Sequence, residues 1–586
     1  MSRHRGREVP VKAKNPWRTF KKLLGFIRHE ILAVILILGL VLIANLLNLL
    51  GPRFSGAAID AMGQTDLSPV YYNAQMMFAS FLAWSLLSYI SSVLMIRLSQ
   101  RIVVRMRQQT FDKLIDLPIS YLDTHQTGDL VSRISYDIDT INTSLSNDII
   151  QILASLMTVF GSLAMMIIIS WQLTLVFLIT VPASVIFTRY RVIKTRPLFS
   201  KRSRKLGDMN GFVEEILTGH KTIQSYNQQQ QFSQRFDQVN TQATTAYYEA
   251  EYHGSINFPT ISFITNLSLA IISMFGALLF LRGSLTIGAL SSFVLYSRKF
   301  SGPINEIANI VAELQSALSA AERVFELVDE NSEVDVEHPL VNPQVNGKVE
   351  FDHVGFSYVK DTPVIHDFSL KVNPGQLVAI VGPTGAGKTT LINLLMRFYD
   401  PQKGKITIDD IDIAQMKRKD VRQSFAMVLQ DTWLFEGTIR DNIAYGKTQA
   451  SQEEIEAVAK AAHIEAFIKQ QPLGYDTIIS DGATNLSQGQ KQLLTIARAM
   501  LIDAPMLILD EATSNVDSRT ERQIQDAMNT LMQGRTSFVI AHRLSTIKNA
   551  DHILVLEQGN IVEQGTHDQL LSNKGAYSKL YQAQFE

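Results

Sequence analysis

Cysteine is absent from the 586-residue sequence, and charged residues are scarce at 19%. Without cysteine the chain forms neither disulfides nor thiolate-ligated zinc or iron–sulfur sites, and it has no catalytic thiolate. Lysine and arginine (54) balance aspartate and glutamate (55), which argues against a dedicated nucleic-acid-binding protein. The hydrophobic fraction of 46% excludes an intrinsically disordered chain, and the length predicts several domains or subdomains.

Residues 1–30 form a basic arm without a signal-peptide cleavage pattern. Within it, Trp17, Phe20, Leu24 and Ile27 recur at helical spacing between arginines and lysines. This pattern predicts an amphipathic helix that lies on an anionic inner leaflet. A disordered tail is the alternative for residues 1–14.

Long stretches with few or no charges follow the arm. They cover residues 31–50, 76–96, 149–188, 261–281 and 285–308, and the third is long enough for two spans divided by a hairpin at Ser170, Trp171 and Gln172. A helix of about 20 apolar residues crosses the hydrocarbon core of a bilayer. The sequence therefore predicts six spans in a transmembrane domain over residues 31–318.

Basic residues concentrate between two pairs of these spans. The segments 97–148 and 189–254 are rich in arginine and lysine, whereas the other connecting segments hold only Arg53 and Arg282. The positive-inside rule then predicts that both termini, both long segments and the following domain are cytoplasmic. Helical periodicity in the two segments predicts that the spans continue as helices beyond the bilayer.

The pattern changes near residue 342. Alternating strand patterns at 349–351 and an apolar run at 377–381 are followed by helical stretches such as 453–462 and further apolar strands. This alternation predicts a soluble α/β domain over residues 347–586, joined by a linker over 319–346.

Residues 382–389 read Gly-Pro-Thr-Gly-Ala-Gly-Lys-Thr and fit the phosphate-binding pattern G-x-x-x-x-G-K-[ST] between a strand and a helix. Glycines allow backbone N–H groups to close around phosphate oxygens. Lys388 is predicted to reach the β- and γ-phosphates of ATP, and Thr389 to offer its hydroxyl to Mg²⁺. The nucleotide-binding residues predicted here are Gly382, Pro383, Thr384, Gly385, Ala386, Gly387, Lys388, Thr389 and Thr390.

A second apolar strand, residues 506–509, ends in two carboxylates. Asp510 is placed to hold Mg²⁺, as in other P-loop nucleotide hydrolases. Glu511 is placed to polarise the water that attacks the γ-phosphate. Together with the upstream loop, this pair predicts ATP hydrolysis.

Residues 486–492, Leu-Ser-Gln-Gly-Gln-Lys-Gln, resemble the LSGGQ signature of ABC ATPases. The resemblance implies that Ser487, Gly489 and Gln490 contact the γ-phosphate of ATP held on a partner domain. Four more positions match the family's motifs in order: Tyr358 resembles the aromatic that stacks on adenine, Gln430 the Q-loop glutamine that also contacts Mg²⁺, Asp517 the D-loop aspartate, and His542 the catalytic switch histidine.

The first half of the chain resembles ABC exporters whose six-span domain precedes the ATPase. Residues 128–133 with Asp137 resemble the first intracellular loop, 219–224 the second, and 320–325 the linker. The resemblance implies that two such subunits form the transporter. Residues 118–127 and 208–220 are the parts of the cytoplasmic extensions expected to contact the ATPase domains.

One residue departs from the signature. Gln488 stands where most family members have glycine, while Glu511 is present. This combination resembles the glutamate-bearing subunit of bacterial heterodimeric multidrug exporters, whose partner lacks the Walker B glutamate. A homodimer that tolerates Gln488 is the alternative.

The expected fold class is an all-α six-helix transmembrane domain with long cytoplasmic helical extensions, followed by an α/β P-loop ABC ATPase domain. The expected function is ATP-driven export of hydrophobic or amphipathic compounds of the multidrug type across a bacterial cytoplasmic membrane. Expected partners are a second half-transporter and membrane lipids, with no nucleic acid. A homodimeric lipid or peptide exporter and an exporter-fold importer are the alternatives. Polar or aromatic residues that occur in the spans are Asn45, Asn48, Trp84, Tyr89, Asn266 and Tyr296.

Overall fold

The computed structural model describes residues 14–62, 65–340, 344–430, 432–480, 485–510, 517–541 and 544–585. Contacts divide the chain into two compact units. One comprises Met1–Asp116 and His125–Glu330, and the other comprises Leu117–Thr124 and Asn331–Glu586.

The first unit is built from helices. They are α1 (Pro16–Ile27), α2 (Ile31–Ala61), α3 (Ser68–Ile115), α5 (Thr127–Ser132), α6 (Ile138–Thr143), α7 (Ile149–Ile169), α8 (Trp171–Thr218), α9 (His220–Ser225), α10 (Gln229–Ser255), α11 (Asn257–Leu281) and α12 (Ile287–Val328). Two π-helical turns, Arg133–Asp137 and Ser144–Asp148, join α5, α6 and α7 into one continuous rod. The short helix α4 (Ile119–Thr124) belongs to the second unit.

Among the described residues, four helical stretches are long and apolar enough to cross a membrane: Ile31–Ala61, Ser68–Ile115, Thr127–Ile169 and Ser262–Leu281. They carry the first, second, third and fifth predicted spans, and the other two lie on α8 and α12. Helices α3 and α8 are each 48 residues long, more than twice what a bilayer requires, so the spans continue as helices as predicted. The predicted hairpin is tighter than expected, because Ser170 alone separates α7 from α8.

Helix α1 forms where the amphipathic pattern predicts it, but it also buries a second face. Leu23 is buried, and the ring of Phe26 stacks on that of Phe325 in α12 with 5.7 Å between centroids. Trp17 is 77% exposed, and Leu24 is exposed beside it. The helix therefore packs on α12 with one face and leaves the predicted apolar face open.

Helices α2 and α12 cross closely at Gly56 and Gly288. A Cβ on Gly288 would collide with the carbonyl oxygen of Gly56, so only glycine permits this approach. The Asp60 carboxylate accepts from Gly288 N and from Thr286 Oγ1, both at 2.7 Å, and thereby satisfies one backbone N–H and one hydroxyl at the start of α12. The crossing is thus fixed by close packing and by hydrogen bonds.

The strands of the second unit are β1 (Val349–Phe356), β2 (Ile365–Val372), β3 (Leu377–Val381), β4 (Lys403–Ile408), β5 (Ile411–Asp412), β6 (Phe425–Val428), β7 (Gly437–Thr438), β8 (Ile478–Ile479), β9 (Met506–Asp510), β10 (Thr536–Ile540), β11 (His552–Glu557) and β12 (Asn560–Gly565). Within the described residues they form a sheet of order β12-β11-β3-β10-β9-β6, a second of order β2-β1-β4-β5, and the pair β7-β8.

Helices cover these sheets. They are α13 (Lys388–Leu395), α14 (Arg418–Gln423), α15 (Ile439–Ile443), α16 (Gln452–Ala461), α17 (Glu465–Gln470), α18 (Gln488–Ile502), α19 (Ser518–Met532), α20 (Leu544–Lys548), α21 (His567–Ser572) and α22 (Ala576–Phe585). Strand β10 is buried along its whole length and β9 up to its last residue, which is why β9 reads as an unbroken apolar run before Asp510, while β10 begins with the buried Thr536 and Ser537. The predicted α/β domain is confirmed.

Candidate nucleotide-binding site

Four parallel strands, β3, β10, β9 and β6, lie side by side and end at the same edge of the sheet. Ile380 pairs with Ile540, and Ile540 pairs with Asp510. The phosphate-binding loop follows β3, Asp510 ends β9, and Gln430 follows β6. Ligands of open α/β sheets bind at the carboxyl ends of the strands. The sequence motifs thus converge on one edge because their strands are neighbours.

Backbone conformation and lack of space explain why glycine occupies two positions of the phosphate-binding loop. Gly387 caps α13 with a φ of 101°, which favours glycine, and a Cβ there would lie 2.8 Å from Ile365 Cδ1. A Cβ on Gly382 would collide with the carbonyl oxygen of Leu556. The loop therefore brings its backbone close to the start of α13, where N–H groups and the helix dipole favour an anion.

Lys388 bends back over this loop. Its Nζ donates to the carbonyl oxygens of Gly382 at 2.7 Å and Pro383 at 3.0 Å. Burial lowers the pKa of Lys388, and the nearby Asp510 carboxylate opposes that shift. The ammonium thus lies above the loop where a phosphate would enter.

The two threonines after Lys388 differ in exposure. Thr389 is exposed, as its predicted contact with Mg²⁺ requires, whereas Thr390 is buried. Thr390 Oγ1 accepts from the hydroxyl of Tyr358 at 3.3 Å. That contact gives Thr390 a partner inside the protein.

Tyr358 is held at its hydroxyl and left open at its ring. The hydroxyl accepts from Asn393 Nδ2 at 3.0 Å, and the ring meets that of Tyr399 edge-on, 5.0 Å between centroids. The residue remains 44% exposed. An anchored ring with an open face is suited to stacking on a base.

Helix α4 reaches the same aromatic group. The Tyr399 hydroxyl donates to Asp123 Oδ2 of α4 at 2.6 Å. Burial, and then the bond to Asp123, raise the pKa of Tyr399, so the hydroxyl stays protonated and donates. Residues 118–127 were expected to contact the ATPase domain, and this bond is such a contact. For residues 208–220, in the first unit, the expectation stays a prediction.

The signature segment begins α18 with a capping box. Ser487 Oγ accepts from Gln490 N at 3.3 Å, and Gln490 Oε1 accepts from Ser487 N at 2.9 Å. The pattern Ser-x-x-Gln signals such a box in the sequence, where it was interpreted only as a phosphate contact. Gly489 is buried, and Gln488 is exposed and reaches Thr432 Oγ1 at 3.5 Å. No hydrogen bond joins these residues to the phosphate-binding loop in the described part of the chain.

Asp517 caps α19 by accepting from the backbone N–H groups of Arg519 and Thr520, both at 3.0 Å. Hydrogen bonds with Thr520, and to a lesser degree with Arg519, lower the pKa of Asp517. Glu511 and His542, the predicted catalytic pair, lie outside the described residues. Their positions directly after β9 and two residues after β10 follow from the sequence.

ATP and Mg²⁺ fit the residues that are present. The described residues hold no group of three His, Asp or Glu side chains that would bind a metal unaided. Mg²⁺ in nucleotide sites keeps water and phosphate oxygens and needs only one or two protein ligands. The exposed Thr389 hydroxyl and the Asp510 carboxylate provide such a partial set.

Comparison with known proteins identifies both halves. Residues 34–304 match the family of ABC transporter transmembrane regions, and residues 365–514 match the ABC transporter family. An uncharacterized ABC transporter ATP-binding protein of Bacillus subtilis is 41% identical over 99% of this chain and 96% of its own length. A fatty acid ABC transporter ATP-binding/permease protein of Mycobacterium bovis is 42% identical over 92% of this chain and 85% of its own.

Two further matches extend this comparison. An ATP-dependent lipid A-core flippase of Idiomarina loihiensis is 36% identical over 97% of this chain and 98% of its own length. The structure of a bacterial Atm1-family ABC exporter with ATP bound has 30% sequence identity and a TM-score of 0.74, covering 96% of this chain and 99% of that one. The chain therefore belongs to the ABC transporters: it is an ABC exporter subunit in which a helical transmembrane domain precedes an ATPase domain that binds ATP with Mg²⁺ and couples its hydrolysis to transport.

Proposed function

We propose that the chain exports hydrophobic or amphipathic compounds across the cytoplasmic membrane of a bacterium. The observation that carries this proposal is the set of long apolar helices on the same chain as a P-loop ATPase. Two relatives are named for a fatty acid and for lipid A-core, which favours lipid-like cargo. Multidrug export is the broader form of the same function.

For hydrolysis, each predicted residue has a role that suits its place. Lys388 binds the β- and γ-phosphates, while Thr389 and Asp510 hold Mg²⁺, with Gln430 beside it. Tyr358 stacks on adenine. Glu511 orients the attacking water, and His542 contacts the γ-phosphate. Support comes from the shared edge of β3, β10, β9 and β6, where the phosphate-binding loop, Asp510 and Gln430 follow or end neighbouring strands.

The transporter is proposed to be a dimer of two half-transporters, with the termini and ATPase domains in the cytoplasm. Ser487, Gly489, Gln490 and Asp517 then serve ATP on the partner. Gln488 favours a non-identical partner that lacks the Walker B glutamate, because a side chain there obstructs close approach to a phosphate. A homodimer is the second candidate, and in it both composite sites carry Gln488.

Reconstitution tests the proposal directly. The purified chain, alone or together with a partner subunit that lacks the Walker B glutamate, is placed in liposomes with its ATPase domain outside, and a fluorescent amphiphile is followed after ATP is added. Export predicts ATP-dependent accumulation in the lumen, and the Glu511→Gln variant should show none. Loss of preloaded amphiphile from the lumen on ATP addition would identify an importer. Absence of any ATP-dependent movement, with and without a partner subunit, would contradict the proposal.

A further inference from the structure

A lysine lies inside the last predicted span. Lys299 lies about 18 Å along the helix axis from the first residue of α12. Asn48 lies about 20 Å from the last residue of α2, and Phe81 lies about 20 Å from the first residue of α3. Hydropathy averaged over the span hides this lysine. An ammonium inside a membrane is costly and marks a functional site unless a counter-charge neutralises it.

The partners of Lys299 come from two other helices and are all neutral. Its Nζ donates to Asn48 Oδ1 at 2.5 Å and to the Asn48 carbonyl oxygen at 2.7 Å. The same nitrogen lies 5.7 Å from the centre of the Phe81 ring. No described residue forms an ion pair with Lys299. The side chain is thus fixed in place, but its charge is not neutralised.

Helix packing explains the hydrogen bond but not the charge. Pro52 has no N–H, so the Asn48 carbonyl four residues earlier lacks its helical partner. Neutral donors of α12 serve other carbonyls of this region: the Tyr296 hydroxyl donates to Leu49 O at 2.5 Å, and Ser292 Oγ donates to Pro52 O at 2.9 Å. A neutral donor at position 299 would serve equally well. Helix packing therefore does not require the positive charge of Lys299.

The nearest acid along α12 is already engaged. Glu306 accepts from Gln151 Nε2 and, at 3.5 Å, from Ser155 Oγ. Arg298, next to Lys299, is exposed and adds a second positive charge to this stretch. The middle of the sixth span thus has an excess of positive charge.

We propose that Lys299, positioned by Asn48 and Phe81, binds the anionic head group of an amphiphilic cargo, a carboxylate or a phosphate. The proposal deepens the proposed function and rests on it, because it takes the bound amphiphile to be the compound that the exporter transports. The ammonium supplies a charge-assisted hydrogen bond in a medium of low dielectric constant, where such a bond is strong. Aromatic side chains beside it, Phe81 and its edge-on neighbour Trp84, offer apolar surface for the chain. Cationic drugs are disfavoured at this site.

Equilibrium binding tests the site without ATP. Radiolabelled oleate is titrated into the full-length protein in nanodiscs of zwitterionic lipid, and methyl oleate and oleyl phosphate compete. Wild type should bind oleate at least about tenfold more tightly than methyl oleate, because the ester cannot be an anion. The relative strength of oleyl phosphate decides between carboxylate and phosphate as the head group.

Two variants separate charge from packing. Lys299→Gln keeps a donor for the Asn48 carbonyl and should weaken oleate binding about tenfold or more, with methyl oleate unchanged. Arg298→Gln removes the exposed neighbouring charge and should weaken oleate binding far less than Lys299→Gln does.

Equal binding of oleate and methyl oleate by wild type would overturn the site, whatever the variants do. So would unchanged oleate binding in a folded Lys299→Gln variant. Charge-selective binding without ATP-driven movement of any amphiphile would instead leave the site standing and contradict the proposed function.

Discussion

Arg323 of α12 forms a bidentate ion pair with Asp137, which lies in the π-helical turn between α5 and α6. Arg323 Nε donates to Asp137 Oδ2 at 2.9 Å, and Nη2 contacts Oδ1. The Asp137 side chain is only 3% exposed, and the hydrogen bond to it raises the pKa of Arg323. Sequence analysis had assigned these residues to two separate family motifs, the first intracellular loop and the linker. The structure shows that one ion pair, between Arg323 and Asp137, joins the two motifs.

Arg323→Ala should destabilise the first unit by about 2 kcal/mol. The buried Asp137 carboxylate loses its counter-charge, and the effect is smaller than for a fully buried pair because 40% of the Arg323 side chain is exposed. Thermal unfolding of the detergent-solubilised protein measures this. Arg107→Ala, which breaks the exposed pair with Asp139, is the matched control and should cost less than about 1 kcal/mol. Equal shifts in the two variants would contradict the importance of burial.

Tyr399→Phe removes only the hydroxyl that donates to Asp123 of α4. Basal ATPase activity and the KM for ATP should stay near wild type, while stimulation by cargo should fall several-fold. Asp123→Ala, which removes the acceptor, should resemble it, and the double variant should be no worse than either single one, because all three lose the same bond. Tyr475→Phe removes a buried hydroxyl that has no hydrogen-bond partner among the residues the structure describes, and it serves as the control. If Tyr399→Phe lowered basal and stimulated rates alike, coupling through this bond would be wrong.

Polar substitution of Tyr121 and Leu122, also on α4, should act in the same direction. Cargo-stimulated hydrolysis should suffer more than basal hydrolysis. The comparison is made on protein that elutes as a folded species. Proportional loss of both activities would argue that α4 contributes stability alone.

Glu511→Gln should leave ATP binding intact and lower turnover by about 10²–10⁴, because only the water-orienting carboxylate is lost. Lys388→Ala should instead weaken ATP affinity, since it removes the ammonium that lies over the phosphate-binding loop. Nucleotide binding and single-turnover hydrolysis distinguish the two. Near-normal turnover by Glu511→Gln would refute its assignment.

Gln488→Gly distinguishes the two assemblies. In a heterodimer whose partner lacks the Walker B glutamate, restoring glycine should change turnover little, because that composite site still lacks its base. In a homodimer both sites carry Gln488, so restoring glycine should raise turnover clearly. Robust transport by the chain without any partner would exclude the heterodimer.

The ATPase domain was the most predictable part of the molecule. Its central strands are buried on both faces, so their apolar runs stand out, and the glycines of the loop at 382–387 meet strict steric limits. The predicted strand at 377–381 matches β3 in full, whereas the predicted helical stretch at 453–462 is shifted by one residue to Gln452–Ala461. Helix ends depend on local caps, which periodicity does not reveal.

Contacts between distant segments were not predictable. Asp123 and Tyr399 are far apart in sequence, and neither has a distinctive pattern around it. Lys299 was missed because hydropathy is averaged over a whole span, and the buried face of α1 because its partner, Phe325, belongs to the end of α12. The contacts of Lys299 and of α1 depend on which helices are neighbours, and the spacing of residues in a single sequence does not reveal this.

The capping box at the start of α18 limits what Ser487 can offer a phosphate. Its backbone N–H already donates to Gln490 Oε1, and its hydroxyl oxygen already accepts a hydrogen bond from Gln490 N, so the hydroxyl hydrogen is what remains to donate to a phosphate. Ser487→Ala would therefore combine two losses in one measurement, a helix cap worth about 1 kcal/mol and a ligand contact. Ser487→Asp keeps the cap but brings a negative charge toward the phosphate. Comparing these two replacements divides the serine's contribution into a folding part and a binding part.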